Sequence, residues 1–182
     1  MTKIVVPLAR GFEEIEAVTI IDVLRRADLK VICAGLGEIT VKGAHGIKIE
    51  ADQRLKNINH RVFAGLVLPG GMPGTENLRR EKRVLNLIQE FAAQEKLVGA
   101  ICAAPLVLKA AGVLENISFT SYPGFAQEFT GYDYQDDKPV VEDDNIITSR
   151  GPGTALPFAL QIVKYFQGQE VSQELASNML VD

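Results

Sequence analysis

Apolar residues follow two rhythms along this chain. Mostly apolar runs at 4–8, 29–36, 62–68, 97–101 and 146–149 are short and bounded by turn residues, the pattern of strands covered on both faces. Longer amphipathic stretches lie between them. Within 13–27, Ala17, Ile20, Ile21, Leu24 and Ala27 recur at helical spacing. A second helix is predicted to start at Thr75 or Asn77, either of which can cap it, and to run to about Ala93. A third covers 103–111 and is closed by Gly112, and two more, at 155–166 and 171–180, follow near the end. Smaller predicted elements are a hairpin over 38–42 and 47–50, a short strand at 117–120, and a strand at Val140-Val141 inside a polar, acidic surface excursion at 132–145.

Strands that alternate with helices predict an α/β fold with a mostly parallel sheet, and no repeat or linker divides the chain, so one domain is expected over 1–182. Ligands of such sheets bind at the carboxyl ends of the strands. The loops there are Ala9-Arg10-Gly11, Pro69-Gly70-Gly71, Cys102-Ala103-Ala104-Pro105 and Arg150-Gly151-Pro152-Gly153.

Composition narrows the chemistry. The 182 residues are enough to bury roughly 70% of the unfolded chain's surface. The net charge is −4, so no basic field draws in nucleic acid or an acidic membrane. The start of the chain lacks the basic segment, long apolar stretch and cleavage site of a signal peptide. The longest apolar run, 97–108, contains Pro105 and is shorter than the ~20 residues a membrane span needs. The expected compartment is the cytoplasm, with both thiols reduced. Two Cys and two His cannot build a closed four-ligand zinc site and leave anything over, and no metal or cofactor is expected.

Cys102 follows the strand 97–101 directly and precedes Ala103-Ala104-Pro105. A thiol there sits on a tight strand-to-helix turn, a nucleophile elbow with Cys in place of Ser. The helix start beneath it favours the thiolate. The alternative is a buried structural thiol, the role expected of Cys33 inside the second strand. Gly70-Gly71 ends a neighbouring strand and can turn amides toward a ligand as an oxyanion hole, or form only a tight turn. Glu13 and Glu14 suit the positive end of the first helix dipole. Glu16 lies four residues before Ile20 and seven before Val23, at the edge of the buried stripe, where a carboxyl must be protonated or paired. If it points to the strand ends, Cys102 is its partner; otherwise it is a solvated helix-face residue. His45 and His60 both precede Cys102, so no Cys…His triad with a downstream His can form within one chain, and both are expected on the surface. Arg25-Arg26 suits the helix end, and Arg150 a structural role in its loop.

Five ordered segments then carry a resemblance. They are Gly11-Phe12-Glu13-Glu14-Ile15-Glu16-Ala17-Val18, Asp22-Val23-Leu24-Arg25-Arg26-Ala27, Val67-Leu68-Pro69-Gly70-Gly71, Ala100-Ile101-Cys102-Ala103-Ala104-Pro105 and Thr148-Ser149-Arg150-Gly151-Pro152-Gly153-Thr154. Over essentially its whole length the chain resembles the ThiJ/PfpI superfamily, in its DJ-one branch, the parkinsonism-associated protein deglycase group. The resemblance implies a flavodoxin-like three-layer sandwich, usually a homodimer. It implies that Cys102 is the reactive, oxidation-prone thiol and Glu16 a buried, protonated partner. Gly70 and Gly71 match the oxyanion segment and Glu13 a second pocket acid. Arg26 matches an arginine near the dimer contact, and His45 aligns roughly with a pocket-lining arginine. Tyr122 stands where many members of the branch carry a pocket His, in Thr120-Ser121-Tyr122-Pro123, so acid–base work falls mainly on Glu16.

The function expected on this basis is a cofactor-independent glyoxalase or protein deglycase. Cys102 attacks methylglyoxal, glyoxal or their protein adducts, Glu16 shuttles the proton, and Gly71 with the Ala103 amide holds the oxyanion. The alternative is a redox sensor or stress chaperone that works by oxidation of Cys102. A third is a flavodoxin-type binder of a small molecule.

Overall fold

The computed structural model describes residues 1–181. Nine strands and six helices alternate along them: β1 (Lys3–Leu8), α1 (Glu14–Arg26), β2 (Lys30–Gly35), β3 (Thr40–Lys42), β4 (Lys48–Glu50), β5 (Gln53–Arg54), β6 (Gly65–Leu68), α2 (Gly74–Arg80), α3 (Lys82–Ala93), β7 (Leu97–Ile101), α4 (Pro105–Ala111), β8 (Val140–Asp143), β9 (Ile146–Ser149), α5 (Ala155–Gln167) and α6 (Gln169–Asn178). Seven strands form one sheet in the order β5-β2-β1-β6-β7-β9-β8, parallel except for β8 against β9. β3 and β4 form the separate antiparallel hairpin expected from the sequence.

Alternation in the strands builds two cores. Ile4, Val6 and Leu8 of β1 point to the layer that holds Ala17, Ile20, Val23 and Leu24 of α1 and Phe158, Ala159, Ile162 and Val163 of α5. Val5 points the other way, toward Leu78 of α2, Val84, Ile88 and Phe91 of α3, and Val107 of α4. A sheet between two helical layers is the flavodoxin-like sandwich. The chain runs from β1 outward to β2 on one side and returns to β6 on the other. The carboxyl ends of β1 and β6 therefore splay apart at a switch point, and this is where the site lies.

Several elements differ from the sequence reading. The single helix from Thr75 or Asn77 is two, broken at Glu81, whose backbone is extended and whose carboxylate accepts the Arg83 N–H at 3.2 Å. Leu78 and Val84 are six residues apart, about 240° around one helix, and the break lets both face the same core. The strand at 62–68 begins only at Gly65, because Asn59 caps a 3-10 turn over His60–Val62. The strand at 117–120 is reduced to one bridge between Phe119 and Tyr134. Side chains replace its ladder: Asp143 accepts the Ser118 N–H at 2.7 Å and Thr148 Oγ1 the Thr120 N–H at 2.9 Å. β5 and the 3-10 segment Pro123–Phe129 carry no apolar rhythm and were not predicted.

Candidate active site

Three chain segments meet at the switch point. The first is the loop after β1 with the first turn of α1, the second the Pro69-Gly70-Gly71 turn after β6, and the third Cys102 after β7. Backbone bonds lock them together. Glu13 N–H donates to Gly70 O at 2.9 Å and joins the first two, while Cys102 N–H donates to Ser149 O of β9 at 3.0 Å and anchors the third to the sheet. Cys102 has φ +63°, a left-handed conformation that costs a non-glycine residue free energy and is held here by its surroundings. This is the strained elbow expected from the sequence. It lifts the side chain off the strand end, so the thiol is partly exposed.

The amides of Ala103 and Gly71 both reach the Cys102 sulfur. Gly71 has φ +89°, and a Cβ there would stand 2.3 Å from the Glu13 nitrogen. Only glycine fits this approach of backbone to backbone. Gly70 is wedged between the two acidic groups of the site: a Cβ on it would lie 2.7 Å from Cys102 Cβ and 2.9 Å from Glu16 Oε2.

Glu16 is fully buried. Its Oε2 accepts the Gly70 N–H at 2.7 Å, while Oε1 is buried with no hydrogen-bond partner of its own in the geometry present. Burial pushes its carboxyl up to about 7, against the smaller opposing effects of the Gly70 amide and the Cys102 thiol. Burial and the neighbouring Glu16 charge push the Cys102 thiol up to about 12, against the Ala103 and Gly71 amides. The Glu16 charge raises the thiol, the thiol holds the carboxyl slightly down, and burial disfavours a second charge, so the pair carries a single negative charge. When Glu16 holds the proton, its charge no longer opposes the thiolate, and the two amides favour it.

Glu13 is nearly buried and adds to the upward shift of Glu16. Glu14 does more than the sequence reading allowed it. Its Oε1 accepts the N–H groups of His45 at 2.8 Å and Ile47 at 3.3 Å, and its Oε2 lies 3.0 Å from His45 Nδ1. Burial works upward on Glu14, but these bonds outweigh it and hold its carboxyl below the usual range. It thereby pins the β3–β4 loop onto the start of α1. The spacing that flagged Glu16 could have flagged Glu14, which lies three residues before buried Ala17.

His45 is exposed as expected and sits 3.5 Å from Glu13 Oε2. The Glu14 bond raises its pKa. His60 is half-buried and pairs with Glu90 Oε2 at 2.7 Å, away from the site. Tyr122 is at the site: its N–H donates to Cys102 O at 2.9 Å, and the residue is 47% exposed. Arg26 lies at the far end of α1, paired with Asp22 at 2.7 Å, so one chain does not bring it to Cys102. Cys33 is buried in the core as expected.

This fold, with a thiol on a strained elbow beside a buried carboxyl, defines a class, and residues 2–165 match the DJ-1/PfpI family, to which the chain belongs. Protein dj-1beta of Drosophila melanogaster is 44% identical over 176 residues, 96% of this chain and 94% of that protein. The crystal structure of Drosophila melanogaster DJ-1beta matches with a TM-score of 0.96 at 42% identity, covering 100% of this chain and 98% of that one. DJ-1 homolog B of Arabidopsis thaliana is 40% identical over 181 residues, 98% of this chain but only 41% of that protein, so the chain spans less than half of it. The Caenorhabditis elegans relative named glutathione-independent glyoxalase DJR-1.2 is 39% identical over 165 residues, 90% of this chain and 87% of that protein. No helix among the described residues is long and apolar enough to cross a membrane.

Proposed function

We propose that the protein is a cofactor-independent glyoxalase, acting on methylglyoxal and glyoxal and, as a deglycase, on their protein adducts. The observation that carries this reading is the partly exposed Cys102 sulfur, met by the Ala103 and Gly71 amides and backed by the buried Glu16 carboxyl. The name of the Caenorhabditis elegans relative supports it.

In the proposed reaction Cys102 Sγ bonds to the aldehyde carbon, and the carbonyl oxygen takes a proton from Glu16. The amides that reach the sulfur steady the oxygen as its charge develops. Glu16 then takes the hydrogen of that carbon as a proton and delivers it to the adjacent carbonyl carbon, while the proton of the new hydroxyl passes to that second carbon's oxygen. The first carbon is oxidised to a thioester and the second reduced to an alcohol, so no electrons leave the molecule. Water cleaves the thioester, freeing lactate from methylglyoxal or glycolate from glyoxal and restoring the thiol. On a protein-borne carbinolamine, Sγ displaces the amine, which leaves with a proton, and the same hemithioacetal forms. Both thiols are free, in keeping with work in a reducing cytoplasm.

The homodimer belongs to the same proposal. Ile15 and Val18 are exposed one turn apart on α1, and Ile47 is exposed on the loop that Glu14 ties to the start of that helix. A second copy would cover this apolar face.

The test is methylglyoxal consumption by the wild type, Cys102→Ser and Glu16→Gln. Cys102→Ser should abolish turnover, and Glu16→Gln should slow it about 10²–10⁴-fold. Equal rates in all three would overturn the mechanism.

A further inference from the structure

Beside the elbow lies a cavity of about 360 Å³ whose walls include Tyr122, Pro123, Asp137, Pro139, Arg150 and Pro152. Its position follows from strand register. Ile101 of β7 is paired with Ser149 of β9, so the next residues, Cys102 and Arg150, leave neighbouring parallel strands side by side, about 5 Å apart. Tyr122 is shared by the two places. Its amide binds the Cys102 carbonyl, and its ring lies against Gly151, where a Cβ would meet Cδ2 at 3.4 Å.

The cavity is held rigidly. Thr154 Oγ1 accepts the N–H groups of Arg150 at 3.2 Å and Gly151 at 3.0 Å, which fixes the Arg150–Thr154 turn. Ser149 Oγ donates to Pro139 O at 2.7 Å and holds the opposite wall. Within these walls Arg150 is partly buried, and its guanidinium makes no hydrogen bond or ion pair among the described residues. The other partly buried arginine, Arg79, has a partner in Glu76 at 2.9 Å. A guanidinium set in a cavity with its five donors unused fits a planar, doubly accepting anion, and a carboxylate is the smallest. Asp137, on the exposed rim, is the one acidic side chain in the lining and opposes such a ligand.

We propose that this cavity is a carboxylate subsite, and that Arg150 gives the enzyme a preference for 2-oxoaldehydes that carry a terminal carboxylate. The inference rests on the glyoxalase reading above. The aldehyde of such a substrate reaches Cys102 while its carboxylate, ~5 Å away across a two-carbon spacer, lies on the Arg150 guanidinium. The chemistry is that already given: with 4,5-dioxopentanoate, Sγ adds to the aldehyde, the internal hydrogen shift forms a thioester, and water releases 2-hydroxyglutarate.

The experiment compares kcat/KM for 4,5-dioxopentanoate with that for methylglyoxal. The wild type should favour the carboxylate-bearing substrate. Arg150→Ala should lower the ratio about tenfold to a hundredfold, the effect of one lost bidentate charged contact. Arg150→Lys, which keeps charge but loses the fork, should fall between, and Asp137→Asn should raise the ratio a few-fold. Circular dichroism checks that each variant is folded. A ratio within twofold of wild type in folded Arg150→Ala overturns the subsite. Binding gives a second readout that needs no turnover: glutarate should shift the Gly151 and Gly153 amide resonances saturably in wild type, but not in Arg150→Ala, and neutral glutaramide should shift neither. If the wild type consumes neither aldehyde, the glyoxalase reading fails, and the glutarate titration alone decides the subsite: no saturable shift overturns it.

Discussion

At the scale of single residues, the site is governed by where one proton resides. Glu16 is fully buried and Cys102 only partly exposed, so burial disfavours two charges there and favours one. Reactive thiolate exists only once the pair has lost its first proton. The rate kcat/KM for methylglyoxal should therefore rise with pH through about 7 and then level off, and Glu16→Gln should move that inflection upward. The same burial has a signature in stability. The folded chain keeps the Glu16 proton from the ordinary carboxyl value of 4.5 up to about 7, whereas the unfolded chain has released it. Folded protein binds more protons in this window, so stability falls as pH rises through it, by at most about 1.4 kcal/mol per pH unit. Urea midpoints at pH 5 and pH 8 should show a smaller decline in Glu16→Gln than in the wild type. Cys33 has no such carboxyl to take its proton: burial and the Asp52 charge push its thiol up to about 12, against the smaller effect of the Arg25 charge.

At the scale of elements, the hairpin β3–β4 stands outside the main sheet and is tied to it through Glu14. Removing that carboxylate charge weakens two backbone N–H contacts and one imidazole contact at once. Glu14→Gln should cost about 1–3 kcal/mol in urea unfolding, and hydrogen exchange at His45 and Ile47 should speed up more than exchange in β1 or β7. The Glu14 carboxyl is held low in the folded state, so its contribution is present above the unfolded-state pKa and is lost as pH falls through the folded value. The elements that the apolar pattern located correctly, β1, β2, β7, β9, α1, α4 and α5, are those packed directly on the central sheet. The ones it misplaced depend on single side-chain bonds: the Glu81 break, the Asn59 cap and the Thr148 bond to Thr120.

At the scale of the whole molecule, the apolar strip Ile15, Val18 and Ile47 bears on assembly. Light scattering should give twice the chain mass, and Val18→Glu should give a folded monomer by the same measurement. A wild type of single mass would remove the dimer from the proposal. The sequence alone determined the class of fold, because the alternation of buried strands with amphipathic helices leaves few ways to bury both kinds of apolar face. It also singled out Cys102, because a thiol flanked by small residues at the end of a buried strand has one local geometry open to it. Whether Glu16 faced that thiol or water depended on the rotation of α1 against the sheet, which is settled by Ala17, Ile20 and Leu24 packing on β1. The clamp by Glu14, the contact of Tyr122 with the elbow and the placing of Arg150 beside Cys102 join residues between about 20 and 50 positions apart. Such meetings leave no local periodic trace, and only the packed sheet, by setting strand order and register, decides them.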